Sequence, residues 1–455
     1  MFVRTKEAHL RRLTVDVELQ QAILAGEAGT LNALMKAKKN SPQATSVAER
    51  EARGKRSVRE FAWVEAASSE LTRDINRDLI LEQIRSRQPI SRVALARHTG
   101  LQPSTVSSIV EQLKQERWIK EGPAVQTPRG RRPTMVTLND DLLMLVADVR
   151  PSQAVLAVVD LNGRFLSRRV VPLPTAPEGA VMAIASGFQA LRDGHPGKVF
   201  EGVGISVPGR VNPETNALML IPNLNWMNYD VSGKLSEILG LTVEIENDAN
   251  ACLLSELWFG NLDGLRNVVL LAISEGLGAA LLVEGRLVSG SNGLAGEFGH
   301  VTVDADGPKC GCGKQGCWEV FASSQAAQRY YAEQRGHTGK ISMRELVSLA
   351  LDDDEAAKAA LRQQCEHIGS GLRVVNASLA PEAILFAGEI TTFWSLASPI
   401  IEAECKRGLL AETGPRLIST GDGELALLRG AAAVVLHRHS GYYRASSVRN
   451  RKASS

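Results

Sequence analysis

Between Asn292 and Glu319 the chain reads NGLAGEFGHVTVDADGPKCGCGKQGCWE, which sets Glu297, His300, Cys310, Cys312, Cys317 and Glu319 among too many glycines for a helix. Turns must present these side chains, and turns that dense need a clamp. His300 with Cys310, Cys312 and Cys317 offers one imidazole and three thiolates, the ligand set of a closed tetrahedral zinc site. Gly311, Gly313 and Gly316 would permit the positive φ values that let a short loop wrap an ion. The competing reading is a group of free cysteines, or one disulfide with a thiol left over. Against it, Cys310 and Cys312 are too close for an easy bridge, and the N-terminus MFVRTKEAHLRRL has no signal-peptide core. Glu297 and Glu319 are surplus as ligands. They are either solvated surface acids or, held rigidly by the knuckle, acceptors for the vicinal hydroxyls of a sugar.

GEFGH followed by CGCGKQGCWE resembles the signature of the ROK family of bacterial sugar kinases and sugar-responsive repressors, which share an actin-like two-lobed fold. The resemblance runs from about residue 76 into the C-terminal region. It implies that His300, Cys310, Cys312 and Cys317 bind a structural Zn2+ and that Glu297, His300 and Glu319 touch the sugar. Within the family the chain is similar to repressors responsive to xylose and to N-acetylglucosamine or glucose.

The 455 residues suffice for two or three domains, and 44% hydrophobic content with a net charge of +2 is ordinary for a soluble chain. Without an apolar run long enough for a bilayer, no membrane partner and a cytoplasmic location are expected. Charge is uneven, however: from Arg73 to Pro133 there are twelve Lys and Arg against six Asp and Glu. The organisation expected is an N-terminal extension, disordered or loosely helical, over 1–72; a winged helix-turn-helix over 73–139; a sugar-binding domain over 140–440; and a basic tail over 441–455.

The basic module begins with NRDLILEQIRSRQ, where Leu79, Ile80 and Ile84 fall at helical spacing and Pro89 stops the pattern. Ser91 is placed to cap a second helix, Gly100 breaks the chain, and Pro103 opens a third, PSTVSSIVEQLKQERW. That order predicts a helix-turn-helix with Gln102, Ser104, Thr105, Ser107 and Ser108 toward the major groove, and Val106, Ile109, Val110 and Leu113 inward. Trp118–Glu121 and Thr134–Leu138 suit the strands of a wing. Between them PRGRRP holds Arg129, Arg131 and Arg132 in an extended segment fit for an A·T-rich minor groove. This stretch and GRRP also resemble the DNA-binding module of ROK repressors, which the family's kinases lack.

From Leu142, β-type runs, a helix near Gly179–Leu191 and a further run precede a similar series restarting at Asn267, as expected for duplicated lobes with a ligand between them. The first series ends in VEIENDANACLLSELWFG. An Asp at a helix start is most often an N-cap. The resemblance implies instead that Asp248 corresponds to the kinase base and that Asn247 binds sugar; PNLNW, Pro222 to Trp226, resembles a further segment near it. The phosphate side departs from the family. Its first loop, Asp-x-Gly-x-Thr, reads Asp148, Val149, Arg150, Pro151, Ser152; its second, Gly-Thr-Gly-x-Gly, reads Ser274, Glu275, Gly276, Leu277, Gly278; and its adenosine-side glycine pair reads Ala387, Gly388, Glu389. Losing glycine and an amide donor, and gaining an acid, argue against a useful cradle for ATP.

The chain is therefore expected to be a sugar-sensing transcriptional regulator, a repressor released by its sugar, without kinase activity. Its partners would be a double-stranded operator, an inverted repeat with A·T-rich flanks, a sugar effector, and a second copy in a homodimer or tetramer. The alternatives are an active ATP-dependent sugar kinase fused to a DNA-binding module and a constitutive DNA-binding protein with a vestigial pocket.

Overall fold

The computed structural model describes residues 69–122, 134–221, 224–260, 262, 264–336, 341–407, 414–421 and 425–439. Most of the N-terminal extension, the wing arginines Arg129, Arg131 and Arg132, Pro222 with Asn223, and the tail lie outside them.

The first helix, α1 (Ser69–Arg87), starts seven residues before the apolar pattern that announces it. It is followed by β1 (Ile90–Ser91), α2 (Arg92–Thr99), α3 (Pro103–Gln115), β2 (Ile119–Glu121) and β3 (Met135–Leu138), the strands pairing antiparallel in the order β1-β3-β2. Ser91 Oγ accepts the Ala94 amide at 3.2 Å, Gly100 closes α2 at φ 71°, and Pro103 supplies the first turn of α3. Val106, Ile109, Val110 and Leu113 form the buried stripe of α3 at i, i+3, i+4 and i+7 spacing, each such side chain contributing about 1.5–3 kcal/mol. The short strand β1 was not foreseen.

Two five-stranded sheets follow, built to one plan. The first lobe comprises β4 (Leu142–Val149), β5 (Gln153–Asp160), β6 (Phe165–Pro172), α4 (Pro177–Asp193), β7 (Val199–Val207), a small sheet of β8 (Arg210–Asn212), β9 (Ala217–Ile221) and β10 (Trp226–Met227), then α5 (Val231–Leu239), β11 (Val243–Asn247) and α6 (Asp248–Trp258). The second comprises β12 (Val268–Ile273), β13 (Leu277–Val283), β14 (Arg286–Leu287), α7 (Glu319–Ala322), α8 (Ser324–Arg335), α9 (Met343–Leu351), α10 (Glu355–Leu379), β15 (Ala383–Gly388), α11 (Trp394–Lys406), β16 (Arg416–Ser419) and α12 (Ala426–Arg438). The sheet orders are β6-β5-β4-β7-β11 and β14-β13-β12-β15-β16. In each, the first three strands in sequence form an antiparallel meander and the last two join in parallel. This is the duplicated α/β architecture of actin-like, ribonuclease H-like sugar kinases. Among the described residues no helix is long and apolar enough to cross a membrane.

β4 is buried along its whole length because both its faces are covered. Leu143, Leu145 and Ala147 enter one cluster with α4 and α5, while Leu142, Met144 and Val146 enter another. That second cluster also contains Ile80, Ile84, Val110 and Trp118 of the winged helix and Leu428, Ala431 and Val435 of α12. The winged helix and the body therefore share this cluster. β3 ends at Leu138, β4 begins at Leu142, and one hydrophobic core runs through both.

α6 and α12 lie together between the lobes. A Cβ on Gly430 of α12 would sit 2.5 Å from the Ala251 carbonyl oxygen of α6, so only glycine permits this approach. Ala249, Cys252 and Leu253 of α6, with Ala426 of α12, pack against Val268, Leu270 and Ala280 of the second sheet.

Candidate sugar and metal site

The glycine-rich stretch is held by two antiparallel bridges, Thr302 with Cys317 and Lys309 with Gln315, which fold Cys310–Lys314 into a tight turn. The Cys310 amide donates to the Lys314 carbonyl at 2.8 Å, and the Gly313 amide to Cys310 at 3.0 Å. Gly313 and Gly316 have positive φ, 88° and 66°, as expected; Gly311 does not. Gly316 is the tighter constraint, since a Cβ there would lie 1.4 Å from the Asp304 carbonyl oxygen.

This turn gathers His300, Cys310, Cys312 and Cys317, whose ligand atoms all lie within 4.8 Å of one another. His300 Nδ1 is 3.6 Å from Cys310 Sγ, and Cys312 Sγ is 3.6 Å from Cys317 Sγ. A tetrahedron with thiolate bonds of about 2.3 Å and an imidazole bond of about 2.0–2.1 Å has edges of about 3.5–3.8 Å. The four donors are therefore drawn up at metal-ligand spacing and suit a soft or borderline ion. Cys310 and Cys317 are buried while Cys312 is exposed.

His300 turns its other nitrogen outward: Nε2 is 3.8 Å from Glu297 Oε2, and Glu297 is largely exposed. Glu319, the first residue of α7, faces two ways. Its Oε1 is 3.5 Å from Cys310 Sγ and its Oε2 accepts the Leu277 amide at 3.0 Å. The metal loop is thereby tied to Ser274–Gly278, and the Ser324 amide ties the start of α8 to the Ser274 carbonyl at 2.8 Å. On the far side of the same segment, a Cβ on Gly278 would be 4.0 Å from Asp248 Oδ1. The turn into β13 thus stands between Glu319 and Asp248.

Asn247, not Asp248, caps α6. Its Oδ1 accepts the amides of Ala249 at 3.0 Å and Asn250 at 3.3 Å, and its Nδ2 donates to the Gly209 carbonyl at 3.0 Å. A side-chain hydrogen bond from Asn247 also reaches the Asp248 carboxylate and holds the two residues together. Asp248 is half-buried and accepts the Ala249 amide at 2.8 Å. Loss of water around it pushes its carboxyl up to about 6, and the negative charge of Asp148 adds to the rise.

Asp148, next to last in β4, is 2% exposed. Arg150, at the position of the family's loop glycine, donates from Nε to Asp148 Oδ2 at 2.7 Å. This bond places a guanidinium on the carboxylate beside Asp248. Glu275 is exposed at the tip of the second loop, and Gly388, at φ 88°, backs onto it with a virtual Cβ 2.7 Å from Ser274 Oγ. Trp226 is taken up by the fold, its indole donating to the Thr175 carbonyl at 2.9 Å.

On the DNA-facing candidate surface, Gln102, Ser104, Ser107 and Ser108 are exposed and Thr105 is half-buried, on the face of α3 opposite its apolar stripe.

The fold and this arrangement define a two-lobed, sugar-kinase-type domain carrying a winged helix-turn-helix. Residues 148–438 match the ROK family and residues 73–120 match the winged helix-turn-helix DNA-binding family. The chain belongs to the ROK family. It is 28% identical over 380 residues to the xylose repressor of Bacillus subtilis, covering 82% of this chain and 98% of that protein. It is 35% identical over 286 residues to the glucokinase of Streptomyces coelicolor, covering 59% and 88%. Among solved structures, a ROK family transcriptional regulator homologous to the Escherichia coli MLC protein superposes with a TM-score of 0.72 at 25% identity, over 83% of this chain and all of that one.

Proposed function

We propose that this protein is a transcriptional repressor that binds an operator through its winged helix and releases it when a sugar occupies the site to which Asp248, Glu297, His300 and Glu319 contribute. The Arg150–Asp148 pair carries the choice between sensor and kinase. A phosphate cradle depends on free backbone amides and flexible glycine. Here a charged side chain stands at that position and Pro151 removes a donor beside it. Similarity over nearly the full length of a xylose repressor supports the same reading.

In this reading Asp248 and Glu297 accept hydrogen bonds from sugar hydroxyls, and Asn247, beside Asp248, His300 Nε2 and Glu319 complete the polar lining. His300, Cys310, Cys312 and Cys317 hold a zinc ion that is structural: with four protein ligands no coordination position is open for chemistry. Its contribution is to fix the orientation of Glu319 and His300. The domains follow as a DNA-binding module over 73–139 and a sugar-binding body over 140–440. Because a single winged helix reads one half-site, the functional unit is a homodimer on an inverted repeat.

Asp248, with its carboxyl near 6, and the similarity to a glucokinase favour a second reading, a sugar kinase with a DNA-binding module. The two separate in one experiment. Purified protein is supplied with ATP and D-glucose, D-xylose or N-acetylglucosamine while sugar phosphate and DNA release are followed together. Release without sugar phosphate is the expected result; sustained phosphorylation that disappears in Asp248→Asn would establish the enzyme instead.

A further inference from the structure

The two helices between the lobes, α6 and α12, end on the same helix of the DNA-binding module. Arg85 of α1 donates from Nη1 to the carbonyl of Trp258, the last residue of α6. Arg77, two turns earlier on α1, donates from Nη1 at 3.2 Å to the carbonyl of His439, which caps α12. Both arginines therefore sit where a helix dipole presents its negative end and unsatisfied carbonyls. Their partners are 173 and 362 residues away in sequence.

Neither arginine is loose. Arg85 is pinned to Glu82 of its own helix by two bonds, Nε to Oε2 at 2.9 Å and Nη2 to Oε1 at 2.7 Å, a fork that fixes its plane. Arg77 is 1% exposed, lies 5.4 Å from the centre of the Trp118 ring and donates from Nη2 at 2.7 Å to Glu116 Oε2. Glu116 is the C-cap residue of α3, the helix carrying Thr105 and Ser108. His439 is held in turn, its ring 4.9 Å from Trp118 and its Nε2 3.0 Å from Glu201. One buried guanidinium thus joins the end of α12 to the end of the recognition helix. At the other end of α6 stands Asp248, about 16 Å away along the helix axis.

We propose that Arg77 and Arg85 are the coupling residues of the protein: a sugar that shifts the lobes moves the C-terminal ends of α6 and α12, and α1, bonded to both, carries the recognition helix with it. The inference rests on the sensor reading above. It differs from transmission through a flexible linker in assigning the signal to two named hydrogen bonds. Because α6 and α12 each pack on both sheets, a change in lobe angle displaces their ends relative to each other. The common core of module and body makes α1 follow as a rigid bar instead of absorbing the shift.

The test uses the full chain and a duplex selected in vitro by the wild type without sugar. DNA affinity is measured with and without saturating D-glucose, D-xylose or N-acetylglucosamine, and sugar affinity with and without DNA, for the wild type, Arg85→Gln, Arg85→Lys and Arg77→Lys. The ratio of DNA affinities is the coupling, and it must equal the ratio of sugar affinities. In Arg85→Gln, DNA affinity without sugar and sugar affinity without DNA are expected to stay within about threefold of wild type, while the coupling falls by about tenfold or more. Arg85→Lys, which keeps the charge on the Trp258 carbonyl, is expected to restore part of it. Full coupling in folded Arg85→Gln and Arg77→Lys proteins would overturn the proposal. Wild-type protein that binds one of the sugars with no effect on DNA would remove the sensor reading and this inference with it. Hydrogen exchange on the wild type gives a check free of misfolding: sugar is expected to change protection in α1 and in the last turn of α6, and unchanged exchange there refutes the route.

Discussion

Replacing Asp248 by Asn is expected to stabilise the sugar-free protein while impairing its site. Burial raises the Asp248 carboxyl from an ordinary 3.8 to about 6, so the folded state holds a proton that the unfolded chain has already released between those values. For an acid raised in this way, the stabilising contribution is complete below pH 3.8 and disappears as pH climbs through 6. At pH 7.5 the ionised side chain therefore weighs against folding by about 2–3 kcal/mol, after allowance for the water that reaches a half-buried group. Asparagine keeps an oxygen for the Ala249 amide, now accepted at 2.8 Å, and never ionises. Thermal unfolding should show the variant a few degrees more stable at pH 7.5 and equal to wild type below about pH 4. In the same samples its sugar affinity should fall by about ten- to a hundredfold, the value of a hydrogen bond to a charged acceptor. A gain that persists unchanged at pH 4 would place its origin elsewhere than the charge, and sugar affinity equal to wild type at pH 7.5 would remove Asp248 from the site.

The remaining expectations concern the metal, the phosphate side and the DNA face. Metal analysis of protein purified without chelators should give about one zinc per chain, and Cys312→Ser should lower both zinc content and sugar affinity; full occupancy in that variant would dismiss Cys312 as a ligand. Arg150→Gly removes the 2.7 Å bond to Asp148 and should destabilise the fold by about 1–3 kcal/mol without creating phosphoryl transfer, since Pro151 and Glu275 remain; sugar phosphate produced by this variant would count against the degenerate site. Thr105→Ala should relax discrimination among core operator bases, whereas Arg131→Ala should lose affinity chiefly on sites with A·T-rich flanks; equal losses on every duplex from both would refute that division of labour.

The sequence disclosed those features in which local chemistry and local spacing coincide. The apolar stripe of α3, the Ser91 cap, the Gly100 break and the metal turn each lie within some twenty residues, and each was legible. The cap of α6 was not legible at that scale. Asp at a helix start suggested the cap, yet the Asn one place earlier has the extended backbone, φ −59° and ψ 145°, that lets its side chain reach two amides. β4, apolar but for Asp148, gave its strand but hid its consequence. Burial on both faces means that something must cover each, and no periodicity says that one cover is the DNA-binding module. Arg77 and Arg85 were counted only as charges in a basic module, because their carbonyl partners lie far along the chain and a carbonyl carries no residue identity to read.

A carboxylate that makes the fold less stable above pH 6 is explained only if its charge is used. Two uses are available to Asp248: drawing a proton from a hydroxyl under attack on phosphate, or accepting a hydrogen bond from that hydroxyl. The first requires a phosphoryl group in line, and positioning supplies most of the rate in such transfers; Arg150 on Asp148 and an acid at Glu275 work against that position. The second needs nothing beyond the sugar. It also suits a reporter, because a protein that phosphorylates its effector consumes the signal it measures, whereas one that only binds it returns to the DNA-bound state when the sugar is withdrawn. In the proposed reading, Asp248 beside Arg150 and Glu275 suits a reversible sensor, with α6 leading from that carboxylate to Arg85 of the DNA-binding module.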